Sequence, residues 1–395
     1  MSKERNLAAV AFLCGVLSAA GWALYLQVFR GVFGEGWMVF FNAARLYFEG
    51  RIDLLYDGVR STALLNARFE GWLAHPLPLH PWLYPPHALV PLLPFGLLPF
   101  AAAGGLFLAA GCAAMLGAAR CFARSGREWV IFAASLALCP AAAMTVCLGQ
   151  NTFFTCALLI AGFGTLRRRP LLAGALLGIA TFKPQLWLMV PVALIAGRHW
   201  KALLAAAASA AAMAAVSVAL FGLEPWRAWL ALMVEPNALY DAWQAIARIN
   251  GQSVYTYARL LGAPAPLADL VQALAALAAA GCVWWCYRRP MADDLRLAVL
   301  LAATPLAAPH IIDYDALLLG AAAGLFFVRS YGDGFRPGDI AISILLWASP
   351  LINPPTVFAI GFATPPLIAI FIAFAMLRGR QAVERRTPDT VLNPA

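Results

Sequence analysis

Apolar runs separated by short charged, proline-rich or glycine-rich segments follow one another along almost the whole chain. A membrane-spanning α-helix needs about 20 apolar residues. Reading runs of roughly 15–23 residues as spans predicts about twelve transmembrane helices. Their approximate positions are 7–29, 87–120, 129–147, 152–166, 170–183, 185–197, 202–221, 267–287, 295–309, 314–328, 338–352 and 356–377. The run at 87–120 contains three prolines, so it is expected to include a re-entrant or interfacial turn.

Composition supports an all-α polytopic membrane protein. Hydrophobic residues make up 63% of the 395 positions and charged residues 12%, whereas soluble domains contain roughly 45–50% apolar residues. The net charge of +9 would suit a nucleic-acid partner if it formed a basic face. The Lys and Arg residues instead lie in short clusters between apolar runs, where they act as topology signals. No nucleic-acid partner is expected.

The first apolar run and the cysteines also fit a polytopic membrane protein. The first apolar run is longer than the 7–15 residues of a signal peptide core, which predicts a retained first span. The eight cysteines lie in or beside apolar runs without metal-ligand spacing to histidine, so they are interpreted as small core residues.

The distribution of Lys and Arg predicts the orientation. With a cytoplasmic N-terminus, most of the 28 Lys and Arg fall on the cytoplasmic side, as the positive-inside rule requires. Both termini are therefore predicted to be cytoplasmic. One membrane domain is expected over 1–378, with longer extracytoplasmic segments at 30–86 and 222–266 and a disordered cytoplasmic tail at 379–395.

The first of these segments contains a predicted amphipathic helix. In "WMVFFNAARLYFEG" the apolar residues approximate helical spacing, which predicts a helix lying at the membrane interface. The residues of the predicted apolar face are Val39, Phe40, Ala43, Ala44, Tyr47 and Phe48.

Polar residues gather at one predicted membrane face. Lys183 stands directly before Pro184, which breaks the apolar run, and an ionisable residue at such a position is often functional. The same predicted extracytoplasmic level holds the stretches "LYPPH" at 83–87, "LGQN" at 148–151, "INGQS" at 249–253 and "PHIIDYD" at 309–315.

These stretches resemble glycosyltransferase family 87. The resemblance covers roughly residues 20–330 and rests on a first outer segment containing "LLYD", then "YPP", "GQN", "KPQ", an "N-x-x-S" stretch and a late "PHxxDYD", in that order. The family consists of GT-C class membrane enzymes and includes polyprenol-phosphate-mannose-dependent mannosyltransferases. The resemblance implies a GT-C-like fold and a bacterial inner-membrane enzyme without a cofactor.

The expected reaction is an inverting transfer of a hexose, mannose being one choice, at the extracytoplasmic face. The donor would be a polyprenyl-phosphate-linked sugar and the acceptor a lipid or glycan, with membrane lipids as surroundings. Such a transfer needs a carboxylate base for the acceptor hydroxyl and cationic or hydrogen-bonding groups for the departing phosphate.

The base is the point at which this chain departs from the family pattern. In that pattern an Asp precedes the aromatic of a "DFxxFYxAA" stretch and is the expected base, whereas "GEGWMVFFNAA" places Gly36 there. The neighbouring acid, Glu35, is the first candidate base. The alternatives are that Glu35 is a solvated loop acid, that the base lies elsewhere, at Asp313 or Asp315, or that the activity is altered.

Lys183, with Gln185 in the same stretch, is a candidate contact for the donor phosphate. The alternative for Lys183 is an interfacial lysine that snorkels to water. His310 is a candidate donor to the phosphate. Asp313 and Asp315 are candidates for orienting His310 or for binding a sugar hydroxyl. Alternatively, these two acids only cap the start of a helix.

The remaining candidates are polar residues of the outer stretches. Gln150 and Asn151 either bind sugar hydroxyls or form a tight turn. Arg45 and Tyr84 are added as substrate-binding candidates, although the prolines after Tyr84 also indicate a role in shaping the re-entry. No metal site is expected, because His75, His80 and His87 are irregularly spaced without an acidic partner set.

Two other classes stay open on sequence alone. A twelve-span secondary transporter would show two similar halves and polar groups near the membrane midplane, and neither pattern is visible. A non-catalytic lipid-binding or assembly protein would explain the Gly at position 36. No phosphate-binding loop or dinucleotide turn indicates cytoplasmic nucleotide chemistry.

Overall fold

The computed structural model describes residues 3–234, 252–352 and 364–384, and within these ranges it contains helices and no strands. The α-helices are α1 Lys3–Val28, α2 Glu35–Phe48, α3 Gly58–Arg68, α4 Phe100–Ala118, α5 Gly126–Ala137, α6 Pro140–Leu148, α7 Thr152–Thr165, α8 Pro170–Ile179, α9 Pro184–Trp187, α10 Met189–Ala196, α11 Trp200–Phe221, α12 Glu224–Val234, α13 Val254–Leu260, α14 Ala265–Arg288, α15 Asp293–Ala307, α16 Leu317–Asp333, α17 Asp339–Trp347, α18 Ser349–Ile352 and α19 Thr364–Glu384. Short 3-10 helices occupy Ile52–Leu54, Pro86–Leu97, Ala119–Phe122, Ala180–Phe182 and Asp313–Ala316. The predicted all-α class is confirmed.

Four of the described helices are long and apolar enough to cross a membrane: Glu4–Val28, Phe100–Phe122, Trp200–Phe221 and Ala265–Arg288. A fifth span is possible if α5 and α6, which meet at an angle of 53°, form one broken crossing. Other apolar helices are shorter. The count of twelve is not confirmed and stays a prediction. The predicted segments 222–266 and 356–377 and the tail fall partly outside the described residues.

Prolines interrupt one predicted span, separate two others and set where regular helix begins. The run at 87–120 starts as a 3-10 helix containing Pro91 and Pro94, and a regular α-helix begins only after Pro99. Proline lacks the N–H that an α-helix interior needs and clashes with the preceding turn. This run therefore starts irregularly, and its expected re-entrant or interfacial placement stays a prediction. The predicted break at Pro184 is confirmed, because α9 starts there as a new helix.

Two helices in the C-terminal half form the centre of the core. Most residues of α15 and α16 are buried, and α5, α10, α14, α17 and α19 pack around them. A helix that is apolar on all sides is stable only when surrounded.

Beside this core, α8 and α11 pack closely because Gly174 and Gly178 have no side chains to hold the backbones apart. Small residues allow this contact between helices.

Seven of the eight cysteines lie in or against the hydrophobic core, as predicted, and Cys121 does not. All eight lie among the described residues and none forms a disulfide. Cys139, Cys147, Cys156 and Cys286 are buried and Cys121 is exposed.

Helix α2 exists as predicted and buries Phe40, Ala43 and Ala44 of the predicted face, but its buried surface extends beyond that face. Trp37, Met38 and Phe41 belong to the core, whereas Phe48, placed on the apolar face by the sequence pattern, is 42% exposed. The helix packs against the 3-10 segment Pro86–Leu97 and also against α6. Its contacts on more than one side bury more residues than a helix lying flat on a membrane would bury.

The start of α2 is fixed to the end of α6. The backbone N–H of Gly34 donates to the Cys147 carbonyl at 2.7 Å. Gly149 has a positive φ of 69°, which a residue with a side chain rarely adopts, and its backbone lies against Trp37. These contacts bring the stretch at 148–151 to the first turn of α2.

Candidate active site

Two adjoining cavities collect most of the predicted polar residues. The glutamate cavity, of about 140 Å³, is lined by residues that include Glu35, Gly36, His80 and Gln150. The lysine cavity, of about 80 Å³, is lined by residues that include Lys183, Gln185, His310 and Asp315. The two cavities share walls formed by Leu83, Tyr84, Ile312 and Tyr314.

A larger cavity of about 250 Å³ lies elsewhere, between α1, α5, α16 and α17. Its lining is almost entirely apolar. The hydroxyls of Ser135 and Ser343 in its wall donate to carbonyls of their own helices, at Phe132 and Asp339. No carboxyl, histidine, lysine or arginine side chain is among its described lining residues, and its one thiol is that of Cys14, so the two smaller polar cavities are the candidate site.

Glu35 stands at the first position of α2, directly after Gly34 with its positive φ of 80°. Its side chain is 21% exposed. Burial raises the pKa of the Glu35 carboxyl to about 7, against a smaller opposite influence of the nearby His75. A carboxyl with a pKa near the working pH suits general base catalysis, because it is ionised often enough and still binds a proton firmly.

The glycine after Glu35 is required by a close approach. A Cβ at Gly36 would lie 2.8 Å from the Leu148 carbonyl oxygen and 3.0 Å from Cδ of Gln150. Both distances are shorter than ordinary packing permits. An Asp at this position, as in the family pattern, would displace the stretch at 148–151. In this chain Gln150 occupies that space, and the nearest acid is the preceding residue.

Gln150 and Asn151 present amide oxygens without partners in the described part of the chain. Oε1 of Gln150 and Oδ1 of Asn151 are both buried and accept no hydrogen bond there. A buried amide oxygen without a donor is costly. The turn alternative accounts for the backbone of this stretch, but it leaves these two acceptors unexplained.

Lys183 is buried and paired. Its side chain is 1% exposed, and Nζ lies 2.5 Å from Oδ1 of Asp315, whose side chain is 2% exposed. Nζ also lies 4.8 Å from the centre of the Tyr314 ring, and the Thr152 hydroxyl donates to the same Asp315 oxygen at 3.5 Å. The snorkelling alternative is wrong, because the ammonium group does not reach the outside of the protein.

The two late aspartates have partners that make them weaker candidates for the base. Asp315 is held by Lys183, and Asp313 is 3% exposed and accepts a hydrogen bond from Nε2 of Gln252 at 2.6 Å. Neither Asp313 nor Asp315 lines the glutamate cavity. Glu35 is the acid that does.

A model of glycosyltransferase family 87 matches residues 82–309 of the chain. The chain belongs to glycosyltransferase family 87. No curated protein and no solved structure matches it.

Family membership makes this protein an enzyme that transfers sugar, and its apolar helices indicate a membrane location. The transporter and non-catalytic hypotheses therefore lose their support. The matched region includes Tyr84, Gln150, Asn151, Lys183 and Gln185. Glu35 lies before it, and the late stretch beginning at His310 follows directly after it.

The structure of this family 87 enzyme separates Arg45 from the other candidates. The Arg45 side chain donates to Glu49 at 3.3 Å and to the Gly96 carbonyl at 3.4 Å, and it lines neither cavity. Tyr84 lines both. Its carbonyl accepts a hydrogen bond from the Tyr56 hydroxyl at 2.7 Å, which supports the predicted shaping role as well.

Two site residues of the enzyme were missed by sequence reasoning. Tyr314 lies between the two flagged aspartates, so its position in the "PHIIDYD" stretch was a usable signal. His80 was considered only as a metal ligand. Its Nε2 lies 3.8 Å from Oε2 of Glu35, but the two residues are far apart in the chain and no spacing connects them.

Proposed function

We propose that this glycosyltransferase moves a hexose from a polyprenyl-phosphate donor to a hydroxyl of a lipid or glycan acceptor, with inversion and with Glu35 as the base. The carrying observation is the placement of Glu35 in one cavity and Lys183 in the next, with Tyr84 and Tyr314 between them. A single displacement needs its base and its leaving-group site on opposite sides of the sugar. The separate cavities of Glu35 and Lys183 support a single displacement of this kind.

In the proposed reaction the acceptor hydroxyl enters the glutamate cavity. Glu35 removes its proton as the oxygen attacks the anomeric carbon, and the bond from that carbon to the phosphate oxygen breaks. The phosphate leaves with the bonding electrons toward the lysine cavity. General bases placed in this way contribute roughly 10²–10⁴-fold to the rate.

Lys183 would serve the donor phosphate while still bound to Asp315. An ammonium group has three N–H donors, and Asp315 Oδ1 takes one of them. The others are available to a phosphate oxygen, and the side chains of Gln185 and His310 line the same cavity. The pair with Asp315 fixes the position of Nζ, so this contact works by oriented hydrogen bonds as well as by charge.

The sugar hydroxyls would be bound at the base of the glutamate cavity. Gln150 lines this cavity, and Asn151 is the next residue in the chain but does not line it. Gln150 Oε1 and Asn151 Oδ1 are buried acceptors without partners in the described residues, and hydroxyl groups are donors. Sites built for such hydrogen bonds discriminate strongly against ligands that lack the hydroxyl.

The proposed setting is a bacterial inner membrane. The site and the segments 30–86 and 222–266 would face the extracytoplasmic side, with both termini and the tail 379–395 in the cytoplasm. This orientation is supported by the concentration of Lys and Arg in the segments predicted to be cytoplasmic.

The function is tested by supplying the purified enzyme in lipid with labelled polyprenyl-phosphate hexoses and, separately, with nucleotide-linked hexoses. We expect transfer only from the lipid-linked donors, with the anomeric configuration inverted. Transfer from nucleotide donors alone, or with retained configuration, would contradict the proposal.

A further inference from the structure

His80 faces the proposed base across the glutamate cavity. Its Nε2 lies 3.8 Å from Oε2 of Glu35, and the two side chains are 20% and 21% exposed. This distance is slightly longer than a hydrogen bond. Catalytic hydrogen bonds are often long before substrate binds and shorten in the complex.

The histidine ring is held in one orientation. The His80 backbone N–H donates to the Thr62 hydroxyl at 3.0 Å, and that hydroxyl donates to the Gly58 carbonyl at 2.6 Å. Nδ1 lies 3.2 Å from the Pro78 carbonyl oxygen. A carbonyl only accepts, so Nδ1 carries the hydrogen. In the neutral ring Nε2 is then an acceptor, and it is the nitrogen that faces Glu35.

We propose that His80 is the positioning partner of Glu35, accepting a hydrogen bond at Nε2 from the carboxyl once Glu35 has taken the proton of the acceptor hydroxyl. This inference rests on the proposed role of Glu35. The O–H bond of the acceptor breaks and an O–H bond forms at Oε2, which points to Nε2. The proton then leaves to water from the exposed edge of the pair.

The surroundings of the pair favour a neutral histidine. Burial lowers the pKa of His80, against a smaller effect of its Pro78 hydrogen bond, and burial raises the pKa of Glu35 to about 7. The other titratable groups near the pair are the exposed His75 and the hydroxyls of Tyr84 and Tyr314. Lys183 is farther away, in the lysine cavity, and is neutralised by Asp315.

The test compares His80→Ala with His199→Ala, a control because His199 is a partly exposed histidine that lines a separate cavity with Arg167 and Tyr287. We expect His80→Ala to lower kcat about tenfold with the KM of the donor changed less than about twofold, and His199→Ala to leave both near wild type. Free imidazole should restore kcat several-fold in His80→Ala alone. Unchanged kcat in His80→Ala, or a loss that imidazole does not restore, would overturn the inference.

A double-mutant comparison separates this inference from the proposed function. If the two residues act together, Glu35→Gln/His80→Ala should be no slower than Glu35→Gln alone, whereas independent residues would give multiplied losses. Full turnover in Glu35→Gln would refute the base itself. An inactive Glu35→Gln beside a fully active His80→Ala would refute only the pairing. His80→Gln, closer in size, replaces His80→Ala if the alanine variant does not fold.

Discussion

Lys183 and Asp315 form a buried ion pair that joins two distant parts of the chain. Nζ lies 2.5 Å from Oδ1, and the side chains are 1% and 2% exposed. Lys183 stands at the break between α8 and α9, and Asp315 lies in the short 3-10 helix before α16. The pair therefore fixes the wall of the lysine cavity at the same time as it positions the proposed phosphate contact.

Removing one member of this pair is expected to destabilise the fold. Lys183→Gln leaves Asp315 without its buried countercharge, which costs about 3–5 kcal/mol in comparable pairs. Thermal unfolding in detergent measures the change. The matched control is Arg45→Gln, which removes an exposed pair with Glu49 and should cost about 0–1 kcal/mol. Equal destabilisation by both variants would contradict the structural role of the Lys183 pair.

Donor titrations distinguish a phosphate contact from a purely structural lysine. Lys183→Gln should weaken donor affinity by about 1.5–3 kcal/mol, the range for a hydrogen bond to a charged group. Lys183→Arg should recover only part of that affinity, because the planar guanidinium group differs in shape from the compact ammonium group. Asp315→Asn keeps the lysine charge and an oxygen acceptor for Nζ, so in the molecules that remain folded it should weaken donor binding less than Lys183→Gln does. Equal loss of affinity in Lys183→Gln and Asp315→Asn would reduce the pair to a structural contact.

Glu35→Gln is expected to lower turnover by about 10²–10⁴-fold with donor affinity and folding unchanged. The amide keeps the size of the side chain and removes its ability to take a proton. Asp313→Asn is the comparison, because Asp313 is buried against Gln252 and does not line the glutamate cavity. Full turnover in Glu35→Gln together with an inactive Asp313→Asn would transfer the role of the base to Asp313.

The rate should depend on pH through Glu35. Burial raises the pKa of its carboxyl to about 7, and only the ionised form is a base, so kcat/KM should rise as the pH increases through about 7. Stability should change in the opposite direction. Because the folded state binds this proton more strongly than the unfolded chain, this contribution is present at low pH and is lost as the pH rises toward and past 7. A plot of kcat/KM against pH that does not rise near pH 7 would contradict the role of Glu35 as the base. The same rise in Glu35→Gln would contradict it as well.

Gly36→Ala tests the close approach that excludes an acid at this position. The added Cβ would meet Leu148 and Gln150, and such overpacking costs about 1–3 kcal/mol. Gly15→Ala is the control, because a Cβ there has no atom within 4 Å in the described structure and alanine favours a helix. Gln150→Ala in the Gly36→Ala background should restore part of the stability. A stable and fully active Gly36→Ala would show that the stretch at 148–151 moves freely.

The sequence alone determined the class of the protein and indicated candidate residues for its chemistry. Apolar runs of membrane length require helices, because backbone groups in lipid must be hydrogen-bonded within the chain. Pro184 had to end a helix, because proline has no N–H to donate. The ordered stretches around Tyr84, Gln150, Lys183 and His310 indicated the family, which the match at 82–309 confirms.

Only the tertiary structure decided which of these residues meet. The sequence presented Lys183 and Asp315 as separate candidates, and it offered no reason to connect His80 with Glu35. Such partners are set by how helices pack, and packing depends on contacts between distant segments rather than on local spacing. The burial of α2 shows the same limit, because periodicity along one helix describes one apolar face. The 3-10 segment Pro86–Leu97 and α6 cover α2 on more than that face, so its buried residues could be identified only after its neighbours were in place.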